Sequence, residues 1–137
     1  MLPFMLLLFT GVIEIGRVIY YTIEVNHSAA AGAQYGAQSA LTAHNSAGMQ
    51  SYAIFDGNVP GISVNASSGC TCDNGGGTSC TYPIPGPGTC GTISCPMGQV
   101  VECVQVTTQA TITPIFHFPL LPASYQANGQ AVMRVRR

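Results

Sequence analysis
The chain opens on a long apolar run. Met1 to Ile13 holds thirteen residues without a charge, and after Glu14 and Arg17 the apolar character resumes with Val18, Ile19, Tyr20, Tyr21 and Ile23. Thirteen residues fall short of the roughly 20 that a membrane-spanning helix needs, but the count through Ile23 is 23. Pro3 suits the first turn of a helix, where a missing N–H costs little. A secretory signal peptide fits less well, because no basic stretch precedes the run and no cleavage site follows it. Ser28 to Ala40 then repeats small residues every fourth position, as Ser28, Gly32, Gly36 and Ala40 and as Ala29, Ala33 and Ala37. Two such ridges allow close helix–helix approach. The pattern predicts a helix over residues 3–41, about 58 Å long at 1.5 Å per residue, which is too long for this chain to cover alone. A break at Thr42–Ser46, where Asn45 or Ser46 can cap, leads to a short amphipathic helix over residues 47–55 with Met49, Tyr52, Ala53 and Phe55 on its apolar side. Asp56-Gly57-Asn58 reads as a turn.

Beyond this point the period changes to two. Ile62–Val64 is a short alternating segment, and Val100–Thr113 alternates with Val104, Val106, Ala110 and Ile112 on one face and Gln and Thr on the other. This predicts a strand or a hairpin pair with one wet face. Ala131, Met133 and Val135 alternate again, and Asn128-Gly129 reads as the hairpin turn before that last strand. Residues 66–99 carry GGG, PIPGPG and five of the six cysteines, a composition that predicts an irregular insertion.

Charge sharpens the picture. Only nine of 137 residues are charged, none of them Lys, and the formal net charge is −1, against roughly 25% charged residues in a typical soluble domain. There is no basic patch for nucleic acid. With 47% apolar residues the chain is not a disordered tail. An ordinary cytosolic monomer would need a charged surface, so another covering is implied. Glu14 and Arg17 stand three apart and pair on a helix, which lowers the cost of a charge in hydrocarbon.

The cysteines are Cys70, Cys72, Cys80, Cys90, Cys95 and Cys103. An even number in a loop-rich segment behind a hydrophobic leader predicts disulfides made outside the cytoplasm, with pairing left open and Cys70 and Cys72 bonded to different partners. No C-x-x-C or C-x-x-C-H occurs, which argues against zinc, haem and thiol redox chemistry. His27, His44 and His117 share no metal-ligand spacing and read as structural or solvated. No catalytic residue, cofactor or metal is expected. Asn26 and Asn65 begin glycosylation sequons; the first lies in the helix, and Asn65 is the candidate.

Leu2–Arg17, LPFMLLLFTGVIEIGR, resembles the signature of TadE-like pilins of tight-adherence (Tad/Flp) pilus systems: Leu-Pro, a Leu-rich run, then Gly, an apolar pair, Glu, an apolar residue, Gly and Arg. The Asn26–Ala37 stretch resembles the family's small-residue region, with Ala31 and Gln34 at its charged positions, and the Val104–Thr107 strand, the Phe116–Pro122 loop and the Arg-ended last strand resemble its C-terminal half. The resemblance implies an α+β, type IV pilin-like fold: a long N-terminal hydrophobic helix, a short helix and a small antiparallel β head with a disulfide-stapled loop. Family members carry a basic leader and a processing site upstream of Leu-Pro; this chain starts at Met1 without them and reads as processed or as lacking that part. Glu14 with Arg17 then stands in for the early Glu that pairs with a neighbour's N-terminal amine.

These readings divide the chain into a helical stalk and filament core, residues 1–55, and a β-rich extracellular head, residues 56–137, containing the 66–99 insertion. The expected function is a structural subunit of an extracellular Tad-like filament. Minor pseudopilin or adhesive tip is the alternative, and a membrane-anchored thiol oxidoreductase a remote one. The residues expected to assemble the helix core are Leu2, Phe4, Leu6, Leu7, Leu8, Phe9, Val12, Ile13, Glu14, Arg17, Gly32 and Gly36. Expected partners are copies of the chain in a helical homopolymer, the membrane before assembly, and, by the resemblance, the inner-membrane pilus machinery and prepilin peptidase.

Overall fold
A computed structural model describes residues 2–73, 80, 94–95, 98–115 and 122–136. Three helices precede three strands: α1 (Leu2–Gly36), α2 (Ala40–Ala43), α3 (Ser46–Asp56), β1 (Ser63–Asp73), β2 (Gln99–Ile112) and β3 (Tyr125–Arg134). The strands form one antiparallel sheet in the order β1-β2-β3. The long apolar helix, the short helices, the small sheet and the disulfides make an α+β, pilin-like arrangement.

The expected helix to residue 41 ends at Gly36 instead. The reason is local: Ser39 leaves helical geometry to cap α2, its hydroxyl accepting from Thr42 N–H at 3.2 Å while Thr42 Oγ1 accepts from Ser39 N–H at 3.0 Å. Side chains of this kind compete with the helix for backbone groups. Asn45 caps α3 through Gly48 N–H at 2.9 Å, and Gly57 N–H closes its far end on Ala53 O at 3.0 Å.

One core spans α1, α3 and the sheet. Ala29 and Ala33 from α1 meet Ala43, Met49, Ala53, Val104, Val106 and Val135. A second cluster joins Val25 to Val59, Ala110, Ile112 and Ala127. Residues 25–55 are therefore packed in common with the strands. The small-residue ridge is used inside the subunit. A Cβ on Gly32 would lie 2.8 Å from Met49 O, and one on Gly36 would strike the Met49 side chain. Gly32 and Gly36, expected to bring helices of different copies together, here face their own α3. Of the four residues expected on the apolar side of α3, Met49 and Ala53 are buried, whereas Tyr52 stacks on Tyr35 at the surface and Phe55 is 91% exposed.

The strands also differ from expectation. β1 runs on past Val64 to Asp73, making eleven pairs with β2 from Ser63 onward, so residues 66–73 of the expected irregular insertion are regular strand. β2 is one strand, not a hairpin. Asn128-Gly129 is no turn: it lies inside β3 opposite Gln109 and Thr108. Glycine is needed there for another reason. The backbone of α1 crosses so closely that a Cβ on Gly129 would lie 2.5 Å from Val25 O, and Thr108 donates its hydroxyl to the same carbonyl at 2.7 Å. The GGG and PIPGPG runs and most of the Phe116–Pro122 loop, His117 included, lie outside the described residues.

Candidate functional site
Two halves of α1 have opposite environments. From Val25 onward its inner face is buried by the head. Before that, Phe4, Leu6, Leu7, Leu8, Phe9, Val12 and Ile13, joined by Met5, Ile15, Ile19, Tyr20 and Ile23, are all at least half exposed. Pro3 to Ile23 is about 30 Å at 1.5 Å per residue, the thickness of a bilayer's hydrocarbon core. So many large apolar side chains, half exposed over such a length, belong in an apolar surrounding and not at a water-washed surface. α1 is the one helix among the described residues long and apolar enough to cross a membrane. Leu2 begins it, with its side chain outside the described set.

Glu14 interrupts this stem and is only 6% exposed. Its Oε1 accepts from Arg17 Nη1 at 3.3 Å and from Ile115 N–H at 3.0 Å, across 101 residues of sequence. Arg17 also lies 5.6 Å from the Tyr21 ring centroid, a cation–π arrangement. The other oxygen, Oε2, is buried and makes no hydrogen bond among the described residues. A buried carboxylate is costly unless paired; here the partners are one cation three residues on and one backbone amide from the segment after β2. Helical spacing foretells the first. Nothing in the sequence marks the second, because it depends on where the sheet sets Ile115 against the stem.

Further contacts tie the helices and strands together. Ser28 donates its hydroxyl to Ala53 O, tying α1 to the end of α3. His44 Nε2 approaches Glu102 Oε1 to 3.2 Å, an ion-pair distance without hydrogen-bond alignment, since that oxygen has no hydrogen-bond partner among the described residues. Disulfides join Cys72 to Cys95 and Cys80 to Cys103; Cys70 is also disulfide-bonded, and Cys90 lies outside the described residues. Asn65 is exposed on β1, and Asn26 is turned to Thr22 O at 2.8 Å. Among the described residues no group of three His, Cys, Asp or Glu side chains converges as a metal site.

A family model described as TadE-like protein matches residues 1–34, the whole stem and the first head-packed turns of α1. The match rests on α1 alone, the helix that is long and apolar enough to cross a membrane. Residues 35–137 lie outside the match. No curated protein and no solved structure matches the chain.

Proposed function
We propose that the protein is a structural, non-catalytic subunit of an extracellular Tad-like filament. α1 lies in the inner membrane before assembly and packs against α1 of other copies afterwards. The observation that carries this reading is the stem: twelve large apolar side chains from Phe4 to Ile23 left bare by their own head. Completing their burial removes on the order of 10 kcal/mol of unfavourable hydration per subunit, at roughly 1.5–3 kcal/mol for a fully buried side chain and about half of each already covered. Water is therefore not the stem's destination. Lipid and a bundle of like helices both satisfy it, and passage from one to the other draws on close packing rather than on the hydrophobic effect. Glu14 suits that passage because Arg17 accompanies it as a near-neutral pair. The near-absence of charge fits a subunit present in many copies whose surface is largely covered by neighbours. Its partners on this reading are its own copies, the inner-membrane assembly machinery and the prepilin peptidase.

Filaments sheared from the cell surface test the proposal by mass spectrometry and electron cryomicroscopy. The protein should dominate the preparation, with Phe4–Ile23 in the filament interior. Recovery of the native protein as a small monomer in detergent-free buffer overturns it.

A further inference from the structure
Glu14 is covered where its neighbours on the stem are not. It is 6% exposed, while Ile13 and Ile15 are 55% and 63% exposed. Part of the cover comes from the segment after β2: Ile115 N–H bonds to Glu14 Oε1 at 3.0 Å, and Pro114 before it is buried. Further up α1, Val59, Pro60, Ile112 and Thr113 line one cleft with Arg17 and Tyr21. The α3–β1 connection thus reaches down the stem to the level of Arg17 and Tyr21, and the segment after β2 reaches Glu14. The side chain of Ile115 is itself 59% exposed.

These contacts limit how deep the stem can enter a bilayer. With Ile23 at the edge of the hydrocarbon, Ile115 would lie at the level of Glu14, about 13 Å deep and close to the bilayer centre. Val59, Pro60 and Thr113 would enter with it, and irregular backbone open to lipid is not tolerated at such depth. The edge therefore falls lower, near Arg17, Tyr20 and Tyr21, residue types that favour the interface. Pro3 to Arg17 is then about 21 Å, a shortfall that local thinning of the bilayer takes up. Ile115 comes to lie about 5 Å below the edge, three helical residues under Arg17. The segment is equipped for that depth: Pro114 has no N–H to satisfy, and the N–H of Ile115 is bonded to Glu14. Glu14 in turn gains the partner that a carboxylate near hydrocarbon requires.

We propose that residues 113–115 are a second membrane contact: the segment dips into the leaflet on the side of the head, with Ile115 among the acyl chains and its amide covering Glu14. Three observations point to lipid as the partner. The segment is bonded to the stem at a level where both neighbours of Glu14 are exposed isoleucines, so its surface continues that of the stem. Thr113, Pro114 and Ile115 carry no charge. Along the helix the next charge above Arg17 is Glu24, about 10 Å away, which leaves an uncharged band about as thick as the interfacial layer. Burial of a few ångströms at the boundary of headgroups and acyl chains is the depth that peripheral apolar surfaces reach. The inference rests on the membrane reading of α1 proposed above, and it concerns the single subunit before assembly.

The chain has no Trp, so a single introduced tryptophan reports depth without interference. The full chain is reconstituted into phosphatidylcholine vesicles with and without brominated acyl chains, which quench only the tryptophans they touch. Leu8→Trp reads the stem, and Ile115→Trp and Thr113→Trp read the segment. Phe55→Trp reads the head, because α3 ends beside Ser28, about 21 Å up the helix from Glu14. All four positions are exposed, so the fold tolerates the changes. Emission of Leu8→Trp and Ile115→Trp should fall about twofold in the brominated vesicles, that of Thr113→Trp less, and that of Phe55→Trp not at all, in the order of their depth. Quenching of Leu8→Trp without quenching of Ile115→Trp overturns this inference and leaves the membrane reading of α1 standing. Absence of quenching in Leu8→Trp overturns both. Stronger quenching of Thr113→Trp than of Ile115→Trp, or equal quenching of Phe55→Trp and Ile115→Trp, overturns the inference as well.

Discussion

Gly129→Ala probes the contact that sets the stem against the head. The backbone at Gly129 is not left-handed, so alanine meets no conformational obstacle; the obstacle is space. Its Cβ would sit 2.5 Å from Val25 O and 2.6 Å from Thr108 Oγ1. The first atom is helix backbone and cannot rotate away, so β3 and α1 must separate by a substantial fraction of an ångström. Overpacking of this kind costs about 1–3 kcal/mol. The same movement stretches the buried Thr108–Val25 bond, for about 1 kcal/mol more. Replacing glycine returns about 0.5–1 kcal/mol by narrowing the unfolded ensemble. The balance is a loss of about 2 kcal/mol, or about 8 °C in Tm for a chain of this size. Urea unfolding in detergent with disulfides intact should show a lower midpoint and an unchanged slope. Gly11→Ala is the control: nothing lies within 4 Å of its Cβ, and a helix gains up to about 1 kcal/mol from the change. Gly129→Ala within 0.5 kcal/mol of wild type would refute the close approach of helix to sheet.

Met49→Ala empties the centre of the main core, where the side chain is fully buried among Ala29, Ala33 and Val104; chemical denaturation should show a loss of about 3 kcal/mol. Phe55→Ser removes a ring that is almost entirely exposed and should change stability by less than about 0.5 kcal/mol, read in the same experiment. Cys80→Ser/Cys103→Ser opens a link across 23 residues and should lower stability by about 3 kcal/mol by the loop-entropy relation, a larger shift than any single exposed substitution. Glu14→Gln keeps an acceptor for Ile115 N–H, whereas Glu14→Leu does not; hydrogen exchange at the Ile115 amide should stay near wild type in the first and rise about tenfold in the second, for about 1.4 kcal/mol lost.

The N-terminus is legible by itself: a run of apolar residues with one Glu–Arg pair at helical spacing defines a membrane-length helix. Period-two alternation in Val100–Thr113 marks a half-buried strand, because alternation depends only on the pleat. Tertiary structure decided the rest. The ridge through Gly32 and Gly36 reads as a helix-packing surface, but sequence does not say whose helix; the turn at Ser39 folds α3 back and seats Met49 and Ala53 there. Asn128-Gly129 has the residues of a turn, yet pairing with Gln109 and Thr108 and the crossing of α1 make it strand. Asp73 and Arg134 meet across 61 residues, and Glu14 and Ile115 across 101. Such contacts leave no local trace, since each depends on the register of the sheet against the stem. Local pattern determined which segments are apolar, helical or extended. Long-range packing determined which of those surfaces the chain keeps for itself, and left the large apolar side chains from Phe4 to Ile23 at least half exposed, for a membrane or for other copies.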